Sequence, residues 1–254
     1  MSRYVRSAVI ASLAVCCATH GALAQTGTWS GRAEANTSVL FGAAHGRLIA
    51  FSLATNRADS TLDVRSEATF SYADARANDE DRSRVSARAS RLSVAMDYNP
   101  FGRLSPFVFG SLESSLQQRI RQRGSAGVGG KLTFVKRGPD EVSLSLALLA
   151  ERTRALDPAP GTPSSFSRTR WSTRVRASRQ LTPALHFSHT TLYQPTVDAP
   201  SRYTASTSTA FAVSVTRQVS LTVTLRDAYD SEAVRRGARS NHDGQFLFGA
   251  RTTF

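Results

Sequence analysis

The 254-residue sequence predicts an all-β fold: a single closed antiparallel transmembrane β-barrel of about 12 strands, with short turns at one end and longer loops at the other. Three observations predict it. Apolar and polar residues alternate at every second position over most of the chain, the period of a strand with two unlike faces rather than of a helix. The connections between these runs are short and long by turns. The chain ends on such a run, "NHDGQFLFGARTTF", in which Phe246, Phe248, Ala250 and Thr252 step towards a terminal Phe254.

Taken in order, twelve runs are expected at roughly 28–41, 47–55, 60–73, 82–98, 104–117, 119–136, 141–154, 166–179, 183–194, 202–217, 219–230 and 244–254. In the third, Leu62, Val64, Ala68, Phe70 and Tyr72 oppose Asp63, Arg65, Glu67, Thr69 and Ser71. The fourth changes phase: Val85, Ala87 and Ala89 share a face that Leu92, Val94 and Met96 then take over, so a β-bulge is expected near Ser90. In the sixth, Ile120, Ala126, Val128, Leu132 and Phe134 oppose Arg119, Arg121, Arg123, Ser125 and Lys131. In the eighth, Trp171, Val175 and Ala177 oppose Arg170, Ser172, Arg174, Arg176 and Ser178. "VSLSLALLAE", "VSLTVTLRD" and the closing run behave alike.

The breaks carry equal information. After even-numbered runs stand "NRAD", "NPFGR", "RGPD", "QLT" and the step Arg217-Gln218; after most odd-numbered ones stand "DARANDED", "LDPAPGTPSSFS", "QPTVDAPS" and "SEAVRRGARSNHD". A soluble sandwich has no reason for this parity. A membrane barrel has one, with short periplasmic turns and long external loops. Aromatic belts are expected from Trp29, Phe107, Phe134 and Phe254 at the periplasmic side and from Phe41, Tyr72, Trp171, Tyr193, Tyr203 and Tyr229 at the external side.

The first residues, "MSRYVRSAVIASLAVCCATHGALA", read as a secretory signal peptide at 1–24: a basic start, a short apolar stretch and a small-residue site at Ala22-Leu23-Ala24. The apolar stretch is too short for a membrane-spanning helix. The barrel then occupies 25–254, and the expected location is the cell outer membrane. Cys16 and Cys17 both fall in the leader, which removes disulfide and thiol chemistry from the mature chain. The lipoprotein alternative is disfavoured, because Val15 is a poor neighbour for Cys16. The formal charge is +13, and all 32 basic residues except Lys131 and Lys136 are arginine. Nucleic-acid binders concentrate such charge in a run or on a helix; here it is spread at strand spacing, so no nucleic-acid partner is expected.

The order of "ANTS", "NRADSTLDVRSEATF", "DYNPFGRLSPFVFGSLE", "GSAGVGGKLTFVKRGPDEVSLSLALLAER" and "LTVTLRDAYDSEAVRRGARSNHDGQFLFGARTTF" resembles the salt-induced outer-membrane protein family, domain-of-unknown-function family 481, across essentially the whole mature chain. The Gly-rich stretch Gly127–Gly130 and the closing segment carry most of the likeness, while "AVRRGARS" departs from the family's shorter Pro-containing loop. The resemblance implies one outer-membrane barrel and no established biochemical activity. The terminal Phe254 also resembles the C-terminal signature that the barrel assembly machinery recognises, which assigns that residue an assembly role and names the machinery and outer-membrane lipid as partners.

No enzymatic chemistry is expected. Of His45, His186, His189 and His242, only "HFSHTT" places histidine near Ser188 and Thr190, and alternation sends His186 and Ser188 to one face and His189 to the other. No set of residues repeats with metal-ligand spacing, and neither a catalytic residue nor a cofactor is expected. "GVGG" lies inside a strand, where glycine relieves crowding. The candidate functional surface is the lumen: Arg32, Glu34, Asp63, Arg65, Glu67, Arg84, Arg88, Glu113, Arg121, Lys131, Glu151, Arg170, Arg174, Arg176 and Arg226 are all expected to face it. Two readings stay open. Carboxylates and arginines pair into a network that fills a narrow barrel, or surplus arginines line a pore for small anionic solutes. A twelve-strand barrel lies between filled eight-strand and open sixteen-strand ones, so size does not choose. A barrel whose external loops bind a partner, an outer-membrane hydrolase and a soluble exported β-protein are the remaining alternatives.

Overall fold

The computed structural model describes residues 29–40, 44–77, 84–158 and 163–254. The expected signal peptide lies outside the described residues. Twelve strands follow one another: β1 (Trp29–Leu40), β2 (Ala44–Ala58), β3 (Leu62–Ala77), β4 (Arg84–Tyr98), β5 (Leu104–Ser115), β6 (Ile120–Arg137), β7 (Asp140–Ala155), β8 (Ser165–Gln180), β9 (Leu185–Pro195), β10 (Tyr203–Ser214), β11 (Val219–Asp230) and β12 (His242–Thr253). Each pairs antiparallel with its sequence neighbours, and β12 pairs with β1, so the sheet is a closed barrel. The closing register runs from Arg32 opposite Thr253 to Thr37 opposite Phe248. Beyond it, the Phe254 N–H donates to the Gly31 carbonyl at 3.0 Å and the Gly31 N–H donates to the Phe254 carbonyl at 2.8 Å.

Closure follows from the two faces. Phe51, Leu92, Val94, Met96, Val108, Val128, Leu146, Val175, Phe211, Leu221, Phe246 and Phe248 all project outward and stay exposed. The alternate positions carry buried Glu34, Asn36, Asp97, Lys131, Ser145, Glu151, Arg170 and Thr222. A globular core is inverted here: apolar groups outside, charges inside. An outer belt of that composition is stable in hydrocarbon, where every backbone amide needs an internal partner and a sheet must therefore close. No helix among the described residues is long and apolar enough to cross a membrane.

The ends differ as the parity of the connections predicts. Turns of two to five residues join β2 to β3, β4 to β5, β6 to β7, β8 to β9 and β10 to β11, and the segments at the opposite end reach eleven residues between β11 and β12. The aromatic belt expected at the long-loop end takes shape on the outer face. Tyr203 lies 5.4 Å from Tyr193 and 5.1 Å from Tyr229, which lies 4.8 Å from His242, ring centre to ring centre.

Bulges correct three details. The phase change in β4 comes earlier than Ser90: Ala73 faces Ala87 and Asp74 faces Val85, so Ser86 is the extra residue. Val85 is therefore outward while Ala87 and Ala89 join Arg91, Ser93 and Ala95 inside, which turns Arg88 to the outer face opposite Tyr72. In β6, Ile120 faces Ala155 and Gln122 faces Arg154, leaving Arg121 as an exposed bulge while Ile120 is fully buried. Phe107 does not join the periplasmic belt; it points inward and is 5% exposed, 6.0 Å from Phe109. Gly127 leaves room for the neighbouring Phe109 ring, since a Cβ there would lie 2.6 Å from it.

Candidate functional site: the charged lumen

The lumen side chains divide into two layers. Towards the long-loop end they close on one another. Arg123, from β6, donates to Glu113 Oε1 at 2.9 Å, to Thr153 Oγ1 at 3.2 Å and to Asp230 Oδ2 at 2.8 Å. Since β6 and β11 stand five strands apart in the barrel, the Arg123–Asp230 pair runs across the lumen. Arg170, 1% exposed, donates to Glu151 Oε1 at 3.3 Å and to the Gln194 carbonyl at 2.9 Å. Arg91 donates to the other Glu113 oxygen at 3.1 Å.

The β11–β12 loop completes this layer. It holds a short 3-10 turn, Val234–Arg236, that ends on Gly237 at φ 89°, a conformation open to glycine without strain. Arg236, only 3% exposed, donates to Asp230 Oδ2 at 2.7 Å and to the Gln118 carbonyl at 3.2 Å. Gln118 belongs to the β5–β6 loop, so Arg236 ties two loops across the mouth. Glu232 of the same loop accepts from Arg168 at 2.8 Å. Ion pairs so well enclosed cost several kcal/mol to break one-sidedly, because a buried charge is then left alone.

Towards the short-turn end the lumen opens into a vestibule of about 620 Å³. Its walls carry Arg32, Asp63, Arg65, Glu67, Asp97, Lys131, Lys136, Glu141, Arg174 and Arg176. Asp97 is claimed by both Arg65 and Lys131, and Arg65 also pairs with Asp63 at 3.3 Å. Arg174 and Arg176 of β8, and Arg32 of β1 on the far wall, form no ion pair among the described residues. The Arg174 guanidinium lies 5.9 Å over the Phe107 ring, and its buried Nε has no hydrogen-bond partner. Glu34, by contrast, accepts from Arg251 at 2.8 Å on the closing seam. A smaller space of about 280 Å³ continues beside the charge network, lined by Thr69, Ser71, Arg91, Thr190, Ser208, Arg226 and Gln245.

Measured against the sequence expectation, Arg32, Glu34, Arg65, Glu67, Lys131, Arg170, Arg174, Arg176 and Arg226 lie on the inner face. Arg88 and Arg121 do not, for the bulge reasons above. The side chain of Arg84 lies outside the described residues. Sequence reasoning missed Asp97, Asp230, Glu232, Arg236 and Arg251. The first and last lie at inward positions of their strands and were legible by parity; Arg236 sits in a loop, where no period marks it.

The histidines serve as bridges. His186 lies 3.2 Å from Ser178 Oγ and 3.3 Å from Gln180 Oε1, and Ser178 Oγ also donates to the Pro139 carbonyl at 3.0 Å. These bonds lace the β6–β7 and β8–β9 turns together. On the outer face, His189 lies 2.9 Å from both Thr209 Oγ1 and Thr191 Oγ1. Among the described residues no group of three or more histidine, cysteine or acidic side chains is placed to hold a metal ion.

Among solved structures, the chain is similar to an outer membrane channel from Pseudomonas putida F1 (TM-score 0.45, 10% identity, covering 91% of this chain and 96% of that one). It is also similar to the translocator domain of the autotransporter NalP from Neisseria meningitidis (TM-score 0.42, 7% identity, 98% and 94%) and to an anion-selective porin from Comamonas acidovorans (TM-score 0.39, 11% identity, 90% and 99%). Each likeness is weak and carries nothing about the lumen. No curated protein matches the sequence. The family described as "Protein of unknown function, DUF481" matches residues 49–254, from β2 through the last residue, and the chain belongs to that family.

Proposed function

We propose that the protein is a barrel of the outer membrane of a Gram-negative-type envelope, exported with a signal peptide at 1–24, whose lumen is a narrow pathway for small anionic solutes. The observation that carries this reading is the surplus of cations in the vestibule, where Arg32, Arg174 and Arg176 face open space without carboxylate partners. Unpaired guanidinium groups in a confined polar passage attract anions and repel cations, as basic rings do in anion pores. Arg226 extends the same chemistry into the smaller space beside the charge network. In this reading the short turns face the periplasm and the long loops the exterior.

The test is conductance of the refolded barrel in planar bilayers under a potassium chloride gradient. A reversal potential of anion-selective sign is expected, falling towards zero in an Arg174→Gln/Arg176→Gln variant. A cation-selective wild type would overturn the reading. A second reading, a non-conducting barrel whose external loops bind a partner, draws on one specific observation: the Arg123–Asp230 pair and the Arg236 bridge span the long-loop half of the lumen. Absence of conductance both in the wild type and after Arg236→Ala would favour it.

A further inference from the structure

The vestibule carries a finer inference, one that rests on the anion reading and narrows it to a substrate class. Its walls hold six cations, Arg32, Arg65, Lys131, Lys136, Arg174 and Arg176, against four carboxylates, Asp63, Glu67, Asp97 and Glu141. Two charges are therefore left without a counterpart. Arg32, also without an ion pair among the described residues, stands apart on the far wall, while Arg65 and Lys131 are spoken for by Asp97 and Asp63. Arg174 and Arg176 are not, and being two residues apart on one strand face they are spaced by about 7 Å along β8. Opposite them in the β7–β8 register stand the buried hydroxyls of Ser145 and Ser143. The Phe107 ring lies 5.9 Å from the Arg174 guanidinium carbon, ring centre to Cζ.

We propose that this vestibule is a binding site for a small dicarboxylate, one carboxylate on Arg174 and the other on Arg176. Each guanidinium offers a planar fork of donors that matches a carboxylate in two parallel hydrogen bonds. The separation of the two forks selects a ligand whose charges are several ångströms apart; a single-centre dianion such as sulfate reaches one fork at a time. Charge points the same way, since a dianion neutralises the surplus of two. A volume of about 620 Å³ admits a four-carbon diacid with its water. The charge network narrows the lumen at the other end, so the ligand enters from the short-turn side.

The experiment is isothermal titration calorimetry on the full barrel, refolded in detergent micelles and checked for heat-modifiable gel migration, with succinate, acetate and sulfate as separate titrants. Succinate is expected to bind at least tenfold more tightly than either of the others. Arg174→Gln or Arg176→Gln should bring succinate to the affinity of acetate, while Arg152→Gln, exposed on the outer face, should leave it unchanged. Succinate binding no tighter than acetate or sulfate overturns the proposal, as does retention of the preference in both vestibule variants. If neither variant refolds, the wild-type comparison of the three anions decides alone. Binding is read without transport, so the two readings separate. Succinate preference with no conductance keeps the site and removes the channel. Anion-selective conductance with no succinate preference removes the site and keeps the channel.

Discussion

Asp59 shows how a single residue sets a turn. In the β2–β3 connection its carboxylate accepts the N–H groups of Thr61 and Leu62, both at 2.8 Å. Those two bonds hold its carboxyl below the usual carboxylate range, the Leu62 bond contributing most. A depressed folded value means that the turn is favoured above the unfolded pKa and that this advantage is lost as pH falls through the folded one. Amide exchange at Thr61 and Leu62, followed by NMR in nanodiscs and corrected for the intrinsic rate, should therefore quicken on acidification. At the β8–β9 turn, where the Thr182 hydroxyl accepts the Leu185 N–H at 3.0 Å, the rate corrected for intrinsic exchange should stay flat. Equal acid sensitivity at both turns would remove the carboxylate as the cause. Residue-scale logic also governs the outer face. Val175 lies exposed in the apolar belt, so Val175→Arg should cost about 2–4 kcal/mol in a lipid-refolding titration, whereas Ser208→Arg, at the edge of a wet lumen space, should cost far less. Equal costs would mean that the faces are misassigned.

At the scale of elements, the β11–β12 loop contrasts with the strands it joins. The strands are held by continuous ladders, but the loop is anchored by a few charged contacts: Arg236 to Asp230 and Gln118, and Glu232 to Arg168. Removing the Arg236 side chain should release the loop from the β5–β6 side while leaving the barrel intact. The expected outcome of Arg236→Ala is a several-fold rise in single-channel conductance with unchanged heat-modifiable migration. Conductance identical to wild type would place the constriction at Arg123 and Asp230 instead. Bulges act at the same scale. One extra residue at Ser86 turns Arg88 to the outer face, because side-chain direction has a period of two and any insertion flips it, while in β6 Arg121 is itself the extra residue and leaves the inner face. Their positions depend on how each strand meets its neighbours, which is why alternation read along one strand misplaced Arg88 and Arg121.

For the whole molecule, the decisive contact is the seam between first and last strands. β1 and β12 share six paired positions, against twelve between β1 and β2, and Phe254 adds the reciprocal backbone pair with Gly31. Deleting Phe254 removes both of those bonds at the shortest seam of the barrel, where unpaired amides meet lipid. Lower yield of heat-modifiable barrel in the outer membrane is expected, with more periplasmic degradation and unchanged export. Wild-type yield would show that the seam tolerates the loss and that Phe254 carries no assembly role.

The sequence by itself determined the architecture. Alternation, the parity of the connections and the aromatic terminus each express a constraint that acts locally along the chain: a strand between lipid and water must alternate, and a hairpin end is either tight or free. Twelve strands, their order and most inward-facing residues follow from those constraints. What only the tertiary structure decided is which charges meet. Arg123 reaches Asp230 over 107 residues of chain, and Arg236 reaches Gln118 over 118. Neither pairing has a signature in spacing, because closure of the barrel brings these residues together. The same holds for Arg174 and Arg176, whose isolation depends on Asp97 being taken by Arg65 of β3 and Lys131 of β6. Whether a lumen is filled or wet is a property of the closed ring, set by the geometry of its cross-section rather than by the pattern of any one strand.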